Sequence, residues 1–214
     1  MPREGQMARR HGDRNRDFEQ KRSMLLDALE PRLFRDDGPL ITLNEMATTA
    51  GVSPSTLRHH LGGRSEVWSA VLERAGARGA PYLALVASPP AEPLEASLRM
   101  TLSMIHAGLQ RGLLPIVANG IAAGLRDEVV GPSFLNAVLE PILASLEARL
   151  AHHQARGEIG PRDLRVAALT LASPLVLAVL HQRGLGGCVV RPLDVDAMID
   201  EQVRMFVSGV ATSA

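Results

Sequence analysis

The stretch Thr42–Val67, TLNEMATTAGVSPSTLRHHLGGRSEV, constrains the fold more than any other part of the chain. Thr42 is an N-cap residue, and Glu45 three positions later closes a capping box that satisfies backbone donors left bare at a helix start. Leu43, Met46, Ala47 and Ala50 recur on one helical face, and Gly51 stands where a residue of positive φ commonly ends a helix. Ser53-Pro54 begins a second helix at once, because the hydroxyl caps and proline lacks only an N–H that the first position does not use. On that helix Leu57 and Leu61 face inward, leaving Ser55, Thr56, Arg58, His59 and His60 on the outer faces. Two capped helices around a tight glycine corner make a helix-turn-helix, and its outer surface is short of acids.

The run MATTAGVSPSTLRHHL resembles the TetR-type (tetracycline-repressor) family of bacterial transcription regulators. The family pattern is I-A-x-x-A-G-V-S-x-G-T-L-Y-x-H-F, followed by a lysine, an acid and an aliphatic residue, and the match needs no gap. It extends over Leu25–Leu72. Arg58 stands where the family has a tyrosine that touches a phosphate, and Arg64 where it has a lysine; both keep a phosphate donor. Leu61 replaces an aromatic and Ser65 an acid. The resemblance implies an all-α protein: a three-helix helix-turn-helix domain, then a larger helical effector-binding and dimerisation domain whose last two helices form a four-helix interface. It further implies a repressor.

Composition bounds this reading without replacing it. The formal net charge is zero, which excludes a protein that coats nucleic acid by bulk charge. Residues 1–78 hold 13 Lys/Arg against 11 Asp/Glu and residues 79–214 hold 10 against 12, so a nucleic-acid surface has to be local. Cys188 is the sole cysteine, which excludes an intrachain disulfide and a cysteine-rich metal site and fits a reducing cytoplasm. The N-terminus has charges with no apolar stretch behind them, so no signal peptide is expected. The longest apolar run, Val166–Leu180, is broken by Thr170, Ser173 and Pro174 and falls short of the roughly 20 residues that span a bilayer. It reads as a buried helix, with no membrane partner.

Taken in order, residues 1–16 carry five arginines, Arg3, Arg9, Arg10, Arg14 and Arg16, and read as a flexible basic arm, either solvated or laid along DNA. Residues 17–63 form the helix-turn-helix domain, opened by an amphipathic helix from Asp17 to Arg35 with Phe18, Leu25, Leu26, Leu29 and Leu33 on its apolar face and Pro31 inside it. Residues 64–80 connect, with a helix expected from about Arg64 to Ala75 and a break across the Gly- and Pro-rich stretch from Gly76 to Pro93. Residues 81–214 read as the ligand-binding and dimerisation domain. There Leu94–Leu109 marks one helix, Phe134–Leu150 a longer one, Asp163–His181 an apolar one and Val195–Phe206 a last amphipathic one. Gly112–Arg126, punctuated by Pro115, Gly120 and Gly124, reads as short broken helix around a cavity.

A twofold dimer presents two recognition helices roughly 34–36 Å apart, so the expected partner is double-stranded DNA carrying an inverted repeat. Ser55, Thr56 and His59 are expected at base edges, and Thr42, Arg58, His60 and Arg64 at phosphates, with Ser53 completing the DNA-binding set. Arg58 has guanine as a second possible target. No catalytic signature, phosphate-cradling glycine motif or metal-ligand spacing stands out, so no enzyme activity, cofactor or metal is expected; His152 and His153 are adjacent, point apart on a helix and read as surface. Aromatics are only 3% of the chain, so the effector cavity is expected to be aliphatic and Met-lined, suited to a small lipophilic molecule, with Met100, Met104, His106, Asn119, Phe134 and His181 as its candidates. The competing reading is a helical-bundle small-molecule binder or enzyme whose helix-turn-helix is only structural; DNA binding separates the two.

Overall fold

The computed structural model describes residues 11–89 and 91–210, with side chains from Asn15 onward. Eleven α-helices succeed one another among the described residues, without a β-strand. The expected basic arm lies outside the described residues as far as residue 10; from His11 the chain is already helix α1 (His11–Leu33). Pro31 does not end α1: it lies within the last turn, and the helix runs two residues beyond it. Leu25, Leu26, Leu29 and Leu33 are buried and set α1 against the two helices of the corner, α2 (Leu43–Thr49) and α3 (Pro54–Leu61).

Helix α4 runs from Arg64 to Ala87, twelve residues past its expected end at Ala75. Glycine and proline punctuate a chain only where nothing overrides them. Gly76 is kept in helix because it is the point of closest approach to a neighbouring turn: a methyl group there would overlap the carbonyl oxygen of Ala137. Pro81 sits on the exposed side, where water can take up the carbonyl bond it leaves open. A single helix therefore carries the reading unit into the second half, packed along α8 (Glu140–Ala155).

The second half closes around α4 with α5 (Leu94–Gly108), α6 (Leu114–Gly124), α7 (Val130–Phe134), α8, α9 (Leu164–Val179), the short α10 (Gly187–Val190) and α11 (Val195–Val210). The expected broken helix at Gly112–Arg126 is instead a regular α6 after one left-handed residue, Gly112 (φ 129°). Its glycines serve packing: Gly120 receives the Phe134 ring, and Gly124 lies against Gly131. Leu109–Leu113 is a kink at Gly112 between α5 and α6, and two turns are π-helical, Leu135–Leu139 and Leu180–Gly184. The last prolongs α9, and Leu164–Gly184 is long and apolar enough by length and composition to cross a membrane; here it packs on α8, α5 and α11. Its inner face is buried through Ala168, Leu171, Leu175 and Val179, while Val166, Leu169 and Leu177 face outward, so burial on all sides is not reached within one chain.

Candidate nucleic-acid interface and effector cleft

The corner is built by short-range bonds. Thr42 accepts from the Glu45 N–H (3.3 Å) and the Glu45 carboxylate accepts from the Thr42 N–H (2.7 Å), so the capping box closes. These bonds hold Glu45 below the usual carboxylate range. Gly51 takes φ 65°, and Ser53 accepts from the Thr56 N–H (3.1 Å) to cap α3 behind Pro54. Leu57 and Leu61 are buried, which fixes the opposite face outward.

On that face Ser55, Arg58 and His59 are exposed; among the described residues neither the Arg58 nor the His59 side chain makes a hydrogen bond, and the His59 ring stands edge-on to Phe18 (centroids 5.7 Å apart). Among the described residues no acid pairs with the Arg58 guanidinium, the state a phosphate or guanine contact requires. Thr42 and Ser53 are exposed as well, though both hydroxyls are engaged as caps; Thr56 is half-buried with its hydroxyl on Ser53 (2.8 Å). Two expected contacts are corrected. His60 stacks against Phe18 of α1 (ring centroids 4.7 Å apart) with its Nδ1 buried, and burial, then the charges of His59 and Lys21, keep it below its ordinary imidazole value. Arg64 turns inward: it donates to the carbonyls of Ile41 (2.9 Å) and Pro39 (2.5 Å) and lies 3.5 Å from Asp127. The helix-start carbonyls of its own fold outcompete solvent because the 3-10 turn Gly38–Leu40 comes within reach of α4.

Asp127, in the turn between α6 and α7, also takes the Ser65 hydroxyl (2.6 Å) and the N–H groups of Val129 and Val130. The Ser65 bond, helped by the two N–H groups and Arg64, lowers its carboxyl below the usual range. The reading unit and the second half are thus joined by a part-buried polar knot as well as by α4.

Of the six candidates for the effector site, one lines an open cleft of about 560 Å³ between α5, the end of α9 and the start of α11. This is His106, held by Asp196 (3.0 Å) and Gln110 (2.8 Å). Gln110, Val179, Gln182, Arg183 and Leu193 share the lining, which is more polar than the expected Met-rich cavity. The other five are placed elsewhere. Met100 is exposed and Met104 half-buried on α5; Asn119 is buried with its amide on the Pro115 carbonyl (2.9 Å); Phe134 fills the space over Gly120; His181 abuts Gly187 and bonds Gln182 (2.8 Å).

The sequence reading missed a buried polar chain. Arg149 is 1% exposed and donates to the carbonyls of Val86 (2.6 Å) and Leu85 (3.0 Å) at the end of α4, and to the Ser97 hydroxyl (2.6 Å). His153, expected at the surface, is fully buried, between Ser97 (2.9 Å) and Glu158 (2.9 Å). Glu158 also accepts from the Leu94 N–H (2.8 Å), capping α5 in place of Pro93, which has no side chain to do so. Serine, histidine and carboxylate are in hydrogen-bonded order, but Ser97 is 0% exposed and its hydroxyl already receives Arg149, so no substrate reaches it. No local pattern announces this network, because its bonds to α4 and α5 join residues 52 to 64 apart along the chain, and only His153 and Glu158 bond at short range.

Comparison with known proteins bears on both halves. Residues 98–209, more than half of the chain, match the family described as AefR-like transcriptional repressor, C-terminal domain. No curated protein matches the chain in sequence. Among solved structures, the fatty acid degradation regulator FadR of Bacillus halodurans superposes with a TM-score of 0.67 at 17% identity, covering 88% of this chain and 95% of that one. FadR of Bacillus subtilis, determined in complex with stearoyl-CoA, gives 0.66 at 16% identity over 88% and 98%. A TetR family transcription regulator of Marinobacter aquaeolei VT8 gives 0.59 at 20% identity over 94% and 100%. At these identities the likeness is one of fold.

Proposed function

The chain belongs to the TetR family of transcriptional regulators, and from that premise we propose that it is a homodimeric repressor that binds an inverted-repeat operator and releases it when a small molecule occupies the C-terminal domain. The observation that carries the reading is Arg58, exposed on a capped recognition helix with no hydrogen bond or ion pair from its guanidinium among the described residues. Residues 17–63 act as the reading unit, α4 as the connection and residues 81–214 as the effector and dimerisation domain. Ser55, Thr56 and His59 meet base edges; Arg58 and Thr42 meet phosphate, with Ser53 holding the helix start.

Dimerisation is supported by the outer stripe of α9. Val166 (59% exposed), Leu169 (49%) and Leu177 (65%) lie at helical spacing, joined on α11 by Met205 (60%). An apolar stripe of this kind on the last two long helices is covered in a twofold pair. The effector acts by binding the two states of the dimer unequally, since equal affinity would shift nothing. The complex of the Bacillus subtilis relative with stearoyl-CoA supports an effector with an aliphatic portion. The protein acts in the cytoplasm, where the chromosome is.

Selection of a preferred sequence from a random DNA pool by the purified protein tests this reading. The expected product is an inverted repeat with half-sites about one helical turn apart, bound with strong salt dependence. Enrichment of no sequence, with binding no tighter than to random DNA, overturns it in favour of a helical-bundle binder with a structural helix-turn-helix.

A further inference from the structure

The cleft beside His106 is walled by groups that hold one another. Gln182 is nearly buried; its amide nitrogen donates to the Arg191 carbonyl (3.2 Å) and its oxygen accepts from the Leu193 N–H (3.1 Å), which pins the loop before α11. Asp194 accepts from the N–H groups of Asp196 (3.0 Å) and Ala197 (3.1 Å) and so caps α11. His106 is fixed between Asp196 and Gln110. Even the loop backbone is set: a methyl on Gly187 would fall 2.5 Å from the His181 ring. A wall whose polar groups are already satisfied is rigid before a ligand arrives, which lowers the entropic cost of binding.

Against that wall stands one cation, Arg183, which makes no hydrogen bond or ion pair among the described residues and is exposed at the mouth. Val179, Leu193 and Val195 supply an aliphatic side to the same space. The kink at Gly112 borders the cleft through Gln110, and the π-helical turn Leu180–Gly184 contributes Gln182 and Arg183. Such a turn adds a residue to the helical count and re-aims the side chains beyond it, and it recurs at functional sites. Here it sends Gln182 inward and leaves Arg183 outward on the next position. The volume falls within the roughly 300–1,000 Å³ of small-molecule sites.

We propose that this cleft is an effector site for a lipophilic carboxylic acid, its carboxylate paired with Arg183 and its aliphatic portion along Val179, Leu193 and Val195. The guanidinium fork matches a carboxylate with two parallel N–H donors, which a neutral head group cannot use. The assignment rests on the reading of the chain as a ligand-responsive regulator and sharpens the expected effector from lipophilic to lipophilic and anionic.

The sole cysteine makes the test direct, because Cys188 is exposed and lines the cleft. Full-length protein is titrated with octanoate or with 1-octanol, and the rate at which iodoacetamide alkylates Cys188 reports occupancy. Octanoate is expected to slow the reaction saturably, with 1-octanol at least about tenfold weaker, the size of one charge-assisted hydrogen bond. Arg183→Gln, an exposed change that leaves the fold intact, is expected to bring octanoate down to the 1-octanol level without moving 1-octanol itself. Equal protection by the two compounds, no protection by octanoate, or octanoate binding that survives Arg183→Gln overturns the proposal. Operator selection is run without either compound. Loss of DNA specificity sinks the regulator reading alone, and an operator-binding protein indifferent to octanoate sinks the cleft assignment alone.

Discussion

The recognition corner and the far end of α4 are held in opposite ways. The corner itself is built of bonds between residues two to five apart: Thr42 with Glu45, Ser53 with Ser55 and Thr56, Arg32 with Asp37. The longer bonds of Ser65 and Arg64 lie outside it: the first reaches Asp127, and the second docks the corner on the start of α4. At its C-terminal end the last carbonyls are taken by Arg149 from α8, and the next helix is capped by Glu158 from a turn 64 residues away. The first arrangement forms as soon as the local backbone does, whereas the second exists only once α4, α5 and α8 have been brought together. In the proposed function the corner presents a fixed surface to DNA and the far end belongs to the domain that responds. Local caps suit the one, and a shared network suits the other.

Breaking the long-range end should do the most damage. Arg149→Leu removes the donor from three buried acceptors at once, Val86, Leu85 and Ser97, and is expected to cost about 3–5 kcal/mol in urea denaturation. If the loss is below 1 kcal/mol, roughly the cost of one cap, the network is incidental. Next, Gly76→Ala pushes α4 off the turn at Ala137 and is expected to cost about 1–3 kcal/mol by overpacking. A neutral or stabilising outcome, as an exposed helical glycine would give, breaks the claim that close approach is why glycine is there.

At the reading end the expected effects are on DNA more than on folding. Arg58→Ala should leave the melting temperature alone, since the exposed guanidinium makes no hydrogen bond or ion pair among the described residues. It should weaken operator binding about tenfold and lower the salt slope by about 1; an unchanged slope removes Arg58 from the contact set. Thr42→Ala and Ser53→Ala should each cost only about 1 kcal/mol, typical of a lost N-cap, and should add independently because each cap is local.

The smallest effect sharpens the contrast through pH. Burial pushes His153 below its ordinary imidazole value, although Glu158 pulls the other way. A histidine whose folded value is depressed leaves stability unaffected above its unfolded pKa of about 6.5 and costs stability as pH falls below it, because the unfolded chain takes up the proton more readily. Urea midpoints should therefore drop between pH 7 and pH 5, and His153→Gln should flatten part of that drop. His60 is depressed by burial in the reading unit as well, so the residual slope in His153→Gln is assigned by adding His60→Gln.

The legible parts of the sequence were those whose physics is contained in a short window. The capping box, the left-handed Gly51, the serine-proline start of α3 and the inward spacing of Leu57 and Leu61 all appear in the structure as read, because each needs only its neighbours. The Asp163 cap of α9, which the reading did not single out, is of the same short range, with its carboxylate on the N–H groups of Arg165 and Val166. The effector domain was legible in its helices and not in its interior. Gly76, Gly120 and Gly124 look like breaks when only the chain is considered, and become packing positions when Ala137, Phe134 and Gly131 are set against them.

The amino-acid order alone settled that this chain is helical, where the recognition helix begins and which face of it looks outward, since capping and periodicity act over a few residues. Tertiary packing alone decided that Arg64 and His60 turn to the protein, that His153 is buried beside Ser97, and that Arg183 is left at a cleft without a hydrogen bond or ion pair among the described residues. Those outcomes depend on which donors and acceptors arrive from distant segments, and a polar side chain has no fixed fate until the groups that compete for it are in place.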